Sequence, residues 1–219
     1  QLFVMFATAS GGVRRNALSD FSSVMANGKI AMKLKEGDKL ICVSTCSEND
    51  DVLLSARNGK CIRFSVKDVR VFAGRTSTGV RGIKLSKGDE VIAMSVLNHV
   101  KIDVEEREAY LQAVNASRRL AGGDYTGRND DKLRDQELAA KLQSEPYSTM
   151  AKTEEFILTI SIDGLGKRTS AYEYRIAGRG GQGIANIDVS RGKNKTSVAA
   201  SFTVINTDQI VMIADSGQI

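Results

Sequence analysis

Tryptophan is absent from this 219-residue sequence, proline and histidine occur once each, cysteine occurs three times, and aromatic residues make up only 5%. The single histidine, His99, has no cysteine or histidine at ligand spacing and no serine near it, which excludes a histidine metal centre or nucleophile pair. It reads as a surface residue. Cys42, Cys46 and Cys61 are an odd number without the paired spacing of structural zinc. Cys42 and Cys61 lie in apolar strand patterns, Leu40-Ile41-Cys42-Val43 and Cys61-Ile62-Arg63-Phe64, where a reduced thiol packs as a small hydrophobe. The few aromatics fall mostly within strands, so no stacking platform for single-stranded nucleic acid is expected. No apolar run approaches the ~20 residues of a membrane helix. Gln1-Leu2-Phe3-Val4-Met5-Phe6 lacks the basic leader of a signal peptide, so a cytoplasmic protein with no membrane partner is expected.

What is abundant is glycine, 20 residues, in a chain that is 42% hydrophobic and therefore able to bury a core. That ratio of glycine to proline points to many tight turns and close backbone approaches rather than to long helices. The net charge of +5 is unevenly spread. Residues 98–154 carry 9 Lys/Arg against 11 Asp/Glu, leaving 22 basic and 15 acidic residues outside them. The excess positive charge, +7, belongs to the rest of the chain.

That rest is repetitive. Gly28-Lys-Ile-Ala-Met32-Lys33-Leu34-Lys-Glu-Gly37 aligns without gaps on Gly79-Val-Arg-Gly-Ile83-Lys84-Leu85-Ser-Lys-Gly88 and on Gly183-Ile-Ala-Asn-Ile187-Asp188-Val189-Ser-Arg-Gly192. Each copy leads into an apolar strand, at Lys39–Ser44, Glu90–Val96 and Ser197–Val204. Upstream, an apolar strand reaches a turn glycine in each copy: Phe3–Thr8 to Gly11, Val52–Ala56 to Gly59, and Phe156–Ile162 to Gly164. A fourth such strand is expected at Gln209–Ala214, before Gly217. Four residues past the first three glycines stand Arg15, Arg63 and Arg168. Nine past them comes an acid and an apolar residue: Asp20-Phe21, Asp68-Val69 and Glu173-Tyr174.

The period is 51 residues from Gly28 to Gly79, then 104 to Gly183. The excess lies in residues 98–154, which lose strand alternation and hold the only proline, Pro146. Asp103 with Glu106 three residues on predicts a capping box for a helix running to about Ala121, ended by Gly122-Gly123. A second helix is expected from about Asp130 to Gln143. The segment reads as a mobile or loosely docked helical insertion. Four short strands per repeat form one sheet with both faces exposed, and stacking such sheets around an axis buries them, as in a propeller. The expected fold is all-β: propeller-like blades of four-stranded antiparallel sheet at about 1–50, 51–97 and 155–207, with the next starting at 208–219. The chain starts on a strand without its preceding turn and stops two residues past Gly217, so it is expected to be an excerpt from a longer protein.

The loops before the nine-residue segments are polar, glycine-rich and basic: Ala73-Gly74-Arg75-Thr-Ser-Thr-Gly79-Val-Arg81-Gly82 and Ala177-Gly178-Arg179-Gly180-Gly181-Gln182-Gly183, with a weaker Val24-Met-Ala-Asn-Gly28-Lys29. Glycine lets a backbone approach a phosphate, and arginine supplies a forked, permanent cation suited to phosphate oxygens. Two apparent nucleotide motifs are turns. Gly178-x-Gly180-x-x-Gly183 has to open a helix to bind a dinucleotide, yet leads into strand-like Ile184, Ile187 and Val189. Gly164-Leu-Gly166-Lys167-Arg168-Thr169 lacks both the first glycine and the Ser/Thr of a phosphate loop.

The blocks Phe6-Ala-Thr-Ala-Ser-Gly-Gly-Val-Arg14-Arg15, Gly79-Val-Arg-Gly-Ile-Lys84-Leu85 and Gly164-Leu-Gly-Lys167-Arg168-Thr169 resemble the repeats of the C-terminal domain family of the DNA gyrase A protein, over nearly all of residues 1–97 and 155–219. The resemblance implies a six-bladed β-pinwheel, whose neighbouring blades exchange strands, with this chain spanning about three and a half of the six blades. It implies chiral wrapping of double-stranded DNA, largely independent of sequence, around a basic rim, so that a type IIA topoisomerase introduces negative supercoils. The candidate DNA-binding residues are Arg14, Arg15, Lys29, Lys60, Arg63, Arg75, Arg81, Lys84, Lys167, Arg168, Arg175 and Arg179.

No catalytic residue, metal or cofactor is assigned to this fragment. In the family, the cleaving tyrosine and metal site lie in upstream and partner regions, ATP is hydrolysed by the gyrase B protein, and a heterotetramer of the A and B proteins acts on bacterial cytoplasmic, nucleoid-associated DNA. The family's glutamine-arginine-arginine-glycine-glycine-lysine-glycine box is missing, and Arg179-Gly-Gly-Gln-Gly183 is a degenerate echo of it. The C-terminal domain of the topoisomerase IV A protein and a propeller-type protein-interaction scaffold therefore stand as alternatives.

Overall fold

The computed structural model describes residues 1–23, 25–122, 128–190, 196–213 and 217. Val24, Gly123, Gly192 and Ala214, each part of a pattern read above, lie outside them. Each repeat begins with a hairpin: β1 (Phe3–Thr8) with β2 (Gly12–Ala17), β4 (Asp50–Ala56) with β5 (Lys60–Ser65), and β8 (Phe156–Ser161) with β9 (Gly166–Ser170). A 3-10 turn follows in each, at Leu18–Phe21, Val66–Asp68 and Ala171–Glu173. The inner strands are β3 (Leu40–Cys46), β7 (Val91–Asn98) and β11 (Val198–Val204), each antiparallel to the first strand of its own hairpin.

The fourth strand of each complete sheet is borrowed. β6 (Val80–Arg81), from the second repeat, pairs with β2 of the first, setting Gly12 opposite Arg81. β10 (Ile184–Ala185), from the third, pairs with β5 of the second, setting Ile184 opposite Cys61. The strand orders are thus β3-β1-β2-β6, β10-β5-β4-β7 and β11-β8-β9. Residues 209–213, where a fourth hairpin was expected to open, form no strand, and Val211, Met212 and Ile213 are exposed. An apolar run without a neighbouring ladder has nothing to hold it as sheet.

The exchange depends on two glycines. Gly79 and Gly183 have φ of +84° and +74°, which L side chains rarely adopt, and a Cβ at these positions would lie 2.4 Å from the Val13 carbonyl oxygen and 2.2 Å from that of Cys61. Gly28, the first-repeat counterpart, has the same backbone twist, φ +83°, with nothing within 4 Å of the added atom. Behind the exchanged strands the chain is bonded to the preceding blade at matching points. Gly82 N donates to Gly11 O at 2.8 Å, and Asn186 N to Gly59 O at 2.8 Å.

The core lies between blades. Phe3, Met5 and Val13 of the first pack with Val52, Leu54, Phe64, Ile83 and Val91 of the second. Leu53, Cys61 and Leu97 of the second pack with Ile157, Ala171 and Tyr174 of the third, a smaller cluster. Where Gly82 closes on Leu54 and Val13 in the first seam, the second seam carries a buried polar chain. Tyr174 Oη donates to Asn186 Oδ1 at 2.7 Å, Asn186 Nδ2 to Thr159 Oγ1 at 2.9 Å, and Ser201 Oγ lies 3.0 Å from Thr159 Oγ1 and 3.1 Å from Ser55 Oγ. Burial pushes the thiols of Cys46 and Cys61 up to about 11 and about 12, so both stay protonated and pack as apolar groups.

Residues 98–154 hold α1 (Val104–Ala121), α2 (Asn129–Ala140) and α3 (Tyr147–Thr153). The Asp103 side chain accepts from Glu106 N at the start of α1, and Gly122 caps its end. α3, not anticipated because so short a helix shows little periodicity, brings Met150 into one cluster with Tyr110 and Tyr172. The insertion, expected to be mobile or loosely docked, is seated on the third blade by Tyr172 of its 3-10 turn. Tyr110 and Tyr172 meet edge to face at 5.5 Å, and Tyr172 Oη donates to Met150 O at 3.1 Å.

The glycine geometry yields a prediction. Gly183→Ala should cost at least ~3 kcal/mol, combining strain with displacement of the Cys61 carbonyl, whereas Gly28→Ala should cost only the ~1–2 kcal/mol of left-handed backbone. Urea unfolding of the two variants beside the parent measures the difference.

Candidate nucleic-acid interface

The twelve candidate cations separate by what they touch. Arg14, Arg15 and Arg63 do not face a ligand and are corrected here. Each is buried by its own hairpin, the next repeat's loop or the next blade. Arg14 is fully buried, its Nε donating to Asn16 Oδ1 at 2.8 Å, Nη1 to Ser77 Oγ at 2.7 Å and to Ser77 O, and Nη2 to Gly74 O. It also stacks on Phe72, 4.5 Å from the ring centre, and burial lowers its pKa. Arg15 and Arg63 occupy the same place in successive repeats, where their backbones bridge to Val71 and Ile176 of the next blade. Both are buried, at 4% and 5% exposure.

Each of these two arginines meets the first hairpin strand of its own blade. Arg15 sits over the Phe3 ring at 4.5 Å, and Arg63 bonds Asp51 Oδ2 through Nε at 2.9 Å and Nη2 at 2.8 Å. Arg63 also donates to Ala171 O at 2.7 Å and Asn98 O at 3.0 Å, tying the third blade and the root of the insertion to the second. The other oxygen of Asp51 lies 2.8 Å from His99 Nδ1, so the histidine read as a surface residue is half engaged with a buried carboxylate. Arg168, third in the series, lies over Phe156 at 3.8 Å, donates through Nη2 to Asn206 Oδ1 at 2.5 Å, and remains exposed.

Arg75 and Arg179 form a second series. Arg75 Nη1 donates to Ile30 O at 2.9 Å, and Arg179 Nη1 to Arg81 O at 3.0 Å, the matching carbonyl one repeat later; Arg179 Nε also donates to Asp68 O at 2.7 Å. These rim arginines stitch neighbouring loops, and Arg179 stays exposed. Lys29 and Lys167 are tethered similarly, to Ser23 O at 2.7 Å and Asn186 O at 3.2 Å. Lys60, Arg81, Lys84 and Arg175 are exposed and, among the described residues, carry no side-chain bond or ion pair. These four are the cations available to an anion without rearrangement. Gly180 lies beside Arg81, its added Cβ 3.5 Å from Arg81 Nε, which places the exposed cations of the second and third repeats at one seam.

Three glycines of the loops are spent on seams: Gly79, Gly82 and Gly183 abut the preceding blade, while Gly28, Gly74 and Gly178 have nothing within 4 Å of an added Cβ. The dinucleotide-like run leads into β10, and the phosphate-loop-like run is the turn into β9, as expected from their sister copies. Lys33 and Lys35, absent from the candidates above, are exposed on the segment after Gly28. Lys33 stands one period before Lys84, a signal available in the sequence.

A β-propeller whose blades borrow their fourth strand from the next repeat, with free cations at the seams, defines the class. The family described as DNA gyrase C-terminal domain, beta-propeller, matches residues 3–47, 50–98 and 155–194, and the chain belongs to it. The DNA gyrase A protein of Granulibacter bethesdensis is 50% identical over the whole chain, which covers 24% of that protein; its Rickettsia bellii counterpart is 43% identical, with 23% covered. The chain thus spans about a quarter of the length of these relatives. Among solved structures, the C-terminal domain of a DNA topoisomerase IV superposes with a TM-score of 0.62 over 93% of this chain and 46% of that one, at 15% identity, which speaks to the fold alone.

The buried and half-buried charges generate two further predictions. Arg63→Ala should lose about 3 kcal/mol of stability by leaving buried Asp51 with His99 as its one side-chain partner and the Ala171 and Asn98 carbonyls without their donor, while Arg81→Ala stays within ~0.5 kcal/mol, as chemical denaturation would show. Asp38 is a pH-sensitive group at the first seam. Burial raises its pKa, but donors from Ser10, Thr8 and Lys39 outweigh that and hold the carboxyl below its ordinary value. Its folded pKa being depressed, its contribution is full above the unfolded value of ~3.9 and fades as pH falls through the lower folded one. Melting temperature measured against pH should therefore fall more steeply on acidification in the parent than in Asp38→Asn.

Proposed function

We propose that the chain is the DNA-wrapping domain of a DNA gyrase A protein, binding duplex through phosphates along the blade rim without reading bases. The observation that carries this reading is the placement of Lys60, Arg81, Lys84 and Arg175, exposed and unpaired, along the seams of successive blades. Exposed lysine and arginine without carboxylate partners fit a polyanion, and backbone contact carries no sequence information. Bending duplex tightly costs several kcal/mol, so contacts have to recur along the curve, which blades do.

On this reading the wrapped duplex is presented to the rest of the gyrase A protein and to the gyrase B protein in a heterotetramer, which introduces negative supercoils with ATP and Mg bound elsewhere, in the bacterial cytoplasm at the nucleoid. Among the described residues no helix is long and apolar enough to cross a membrane. Lys29, Arg75, Lys167, Arg168 and Arg179 are second-rank contacts, since each first has to give up or share a bond within the protein.

The expected outcome is that nicked circles sealed in the presence of the full-length protein change linking number, and that duplexes of unrelated sequence bind alike. Charge reversal at Arg81, Lys84 and Arg175 together should weaken all of them by roughly tenfold or more at physiological salt. Full binding with no change in linking number would remove the wrapping claim.

A further inference from the structure

A cation-lined recess lies in the seam between the first two blades, where the loop carrying Arg81 meets the segment after Gly28. Lys33, Lys35 and Asp38 of the first repeat line it together with Ser10 of the β1–β2 turn and Thr78 and Arg81 of the second repeat. Its volume is about 130 Å³. That is ample for a tetrahedral oxyanion with part of its hydration, and the recess opens to solvent.

The recess has a built cationic wall. Lys33 N donates to Ser77 O at 3.3 Å, which docks the segment against the second repeat, and residues two apart in extended chain share a side, so Lys33 and Lys35 fall together. Among the described residues neither ammonium has a hydrogen bond or ion pair. The one acid on the wall is already committed: Asp38 Oδ1 accepts from Ser10 N and Lys39 N, both at 2.9 Å, and Oδ2 from Ser10 Oγ at 2.6 Å. Two unpaired lysines and Arg81 beside a satisfied carboxylate leave a net positive recess, and the Thr78 hydroxyl adds a donor for an anion's oxygen.

The next seam keeps part of the plan. Lys84 stands where Lys33 does, and its backbone N donates to Gly181 O at 2.8 Å, the counterpart of Ser77 O. Lys60 replaces Gly12, and Asp89 takes the part of Asp38, accepting from Asn58 N at 3.0 Å. Lys35 has no counterpart at that seam, its place being taken by Ser86, so the paired lysines are particular to the first seam.

We propose that this recess seats a single oxyanion of the phosphate class, a phosphodiester of the duplex backbone, with Lys33 and Lys35 as the two cations supplied by the first repeat, beside Arg81 of the second. The proposal rests on the duplex-binding reading above and adds that the two lysines act on one phosphate as a unit. The test is the salt dependence of duplex affinity for the full-length protein. Each phosphate neutralised contributes about 0.9 to the slope of log K against log salt. Lys33→Ala/Lys35→Ala should therefore lower the slope by about 0.9, with either single change already giving most of that loss. Lys101→Ala/Lys152→Ala, on the insertion, should leave it unchanged.

A double variant with the parental slope, or a loss of about 1.8 built additively from the singles, overturns the shared seat. Inorganic phosphate, titrated at constant ionic strength while the Gly12 and Gly79 amide resonances are followed, separates the sources. Phosphate-induced shifts that vanish in the double variant, together with an unchanged duplex slope, would make the ligand a free oxyanion and overturn the phosphodiester. A parent that binds no duplex at any salt would sink the wrapping reading itself, a result distinct from all of these.

Discussion

Two-residue strands, Val80–Arg81 and Ile184–Ala185, complete the sheets of the blades before them, and they reach those sheets only because Gly79 and Gly183 bring bare Cα atoms against the Val13 and Cys61 carbonyls. Everything else is arranged around that contact. The apolar residues after each glycine, Ile83 and Ile187, are carried onto the turn of the preceding blade. The hairpin arginines are trapped in the seam, and the loop arginines are placed where they meet a neighbouring repeat's backbone. Seam packing and rim charge are therefore one construction: the chain that closes a sheet also carries Arg81 and Lys84 to its edge.

The two complete seams differ in what fills them. The first is apolar, with Gly82 against Leu54 and Val13, and holds Arg14 through carbonyls of the loop at Gly74 and Ser77. The second is polar, joined by Tyr174, Asn186, Thr159, Ser201 and Ser55 in a chain whose members are all buried. Polar chains of this kind hold a register through directional bonds more than through bulk attraction. The insertion leaves and rejoins the chain at this seam, where Asn98 N donates to Glu155 at 2.8 Å and Arg63 binds Asn98 O, so its two ends are clamped together over a buried ion pair.

Much of this was legible in the residues. The glycine-bounded repeat, the hairpins at Gly11, Gly59 and Gly164, the inner strands and the capping box at Asp103 all rest on local patterns that burial did not override. The functions of Arg14, Arg15 and Arg63 were not legible, because an arginine in an alternating strand has the same composition whether its face meets solvent or a neighbouring blade. Only the seam decides, and the seam is formed by residues more than 50 positions away. For the same reason Gly79, Gly82 and Gly183 were assigned to phosphate approach when they serve backbone approach, whereas Gly28, Gly74 and Gly178 have open space beside them. Lys33 and Lys35 were passed over because the first loop carries less charge than its sisters, although the period marked Lys33.

Strand borrowing also sets an order on assembly during synthesis. β2 finds its last neighbour about 70 residues downstream, but β5 has to wait more than 120, because the helical insertion is made before Ile184 emerges. At ~5–20 residues per second, the extra length holds the second sheet open for several seconds. During that interval Cys61-Ile62-Arg63-Phe64 is an unpaired β edge beside a turn glycine, the kind of edge that other chains join. A 57-residue insertion at this point is thus a delay in time as well as an addition in space.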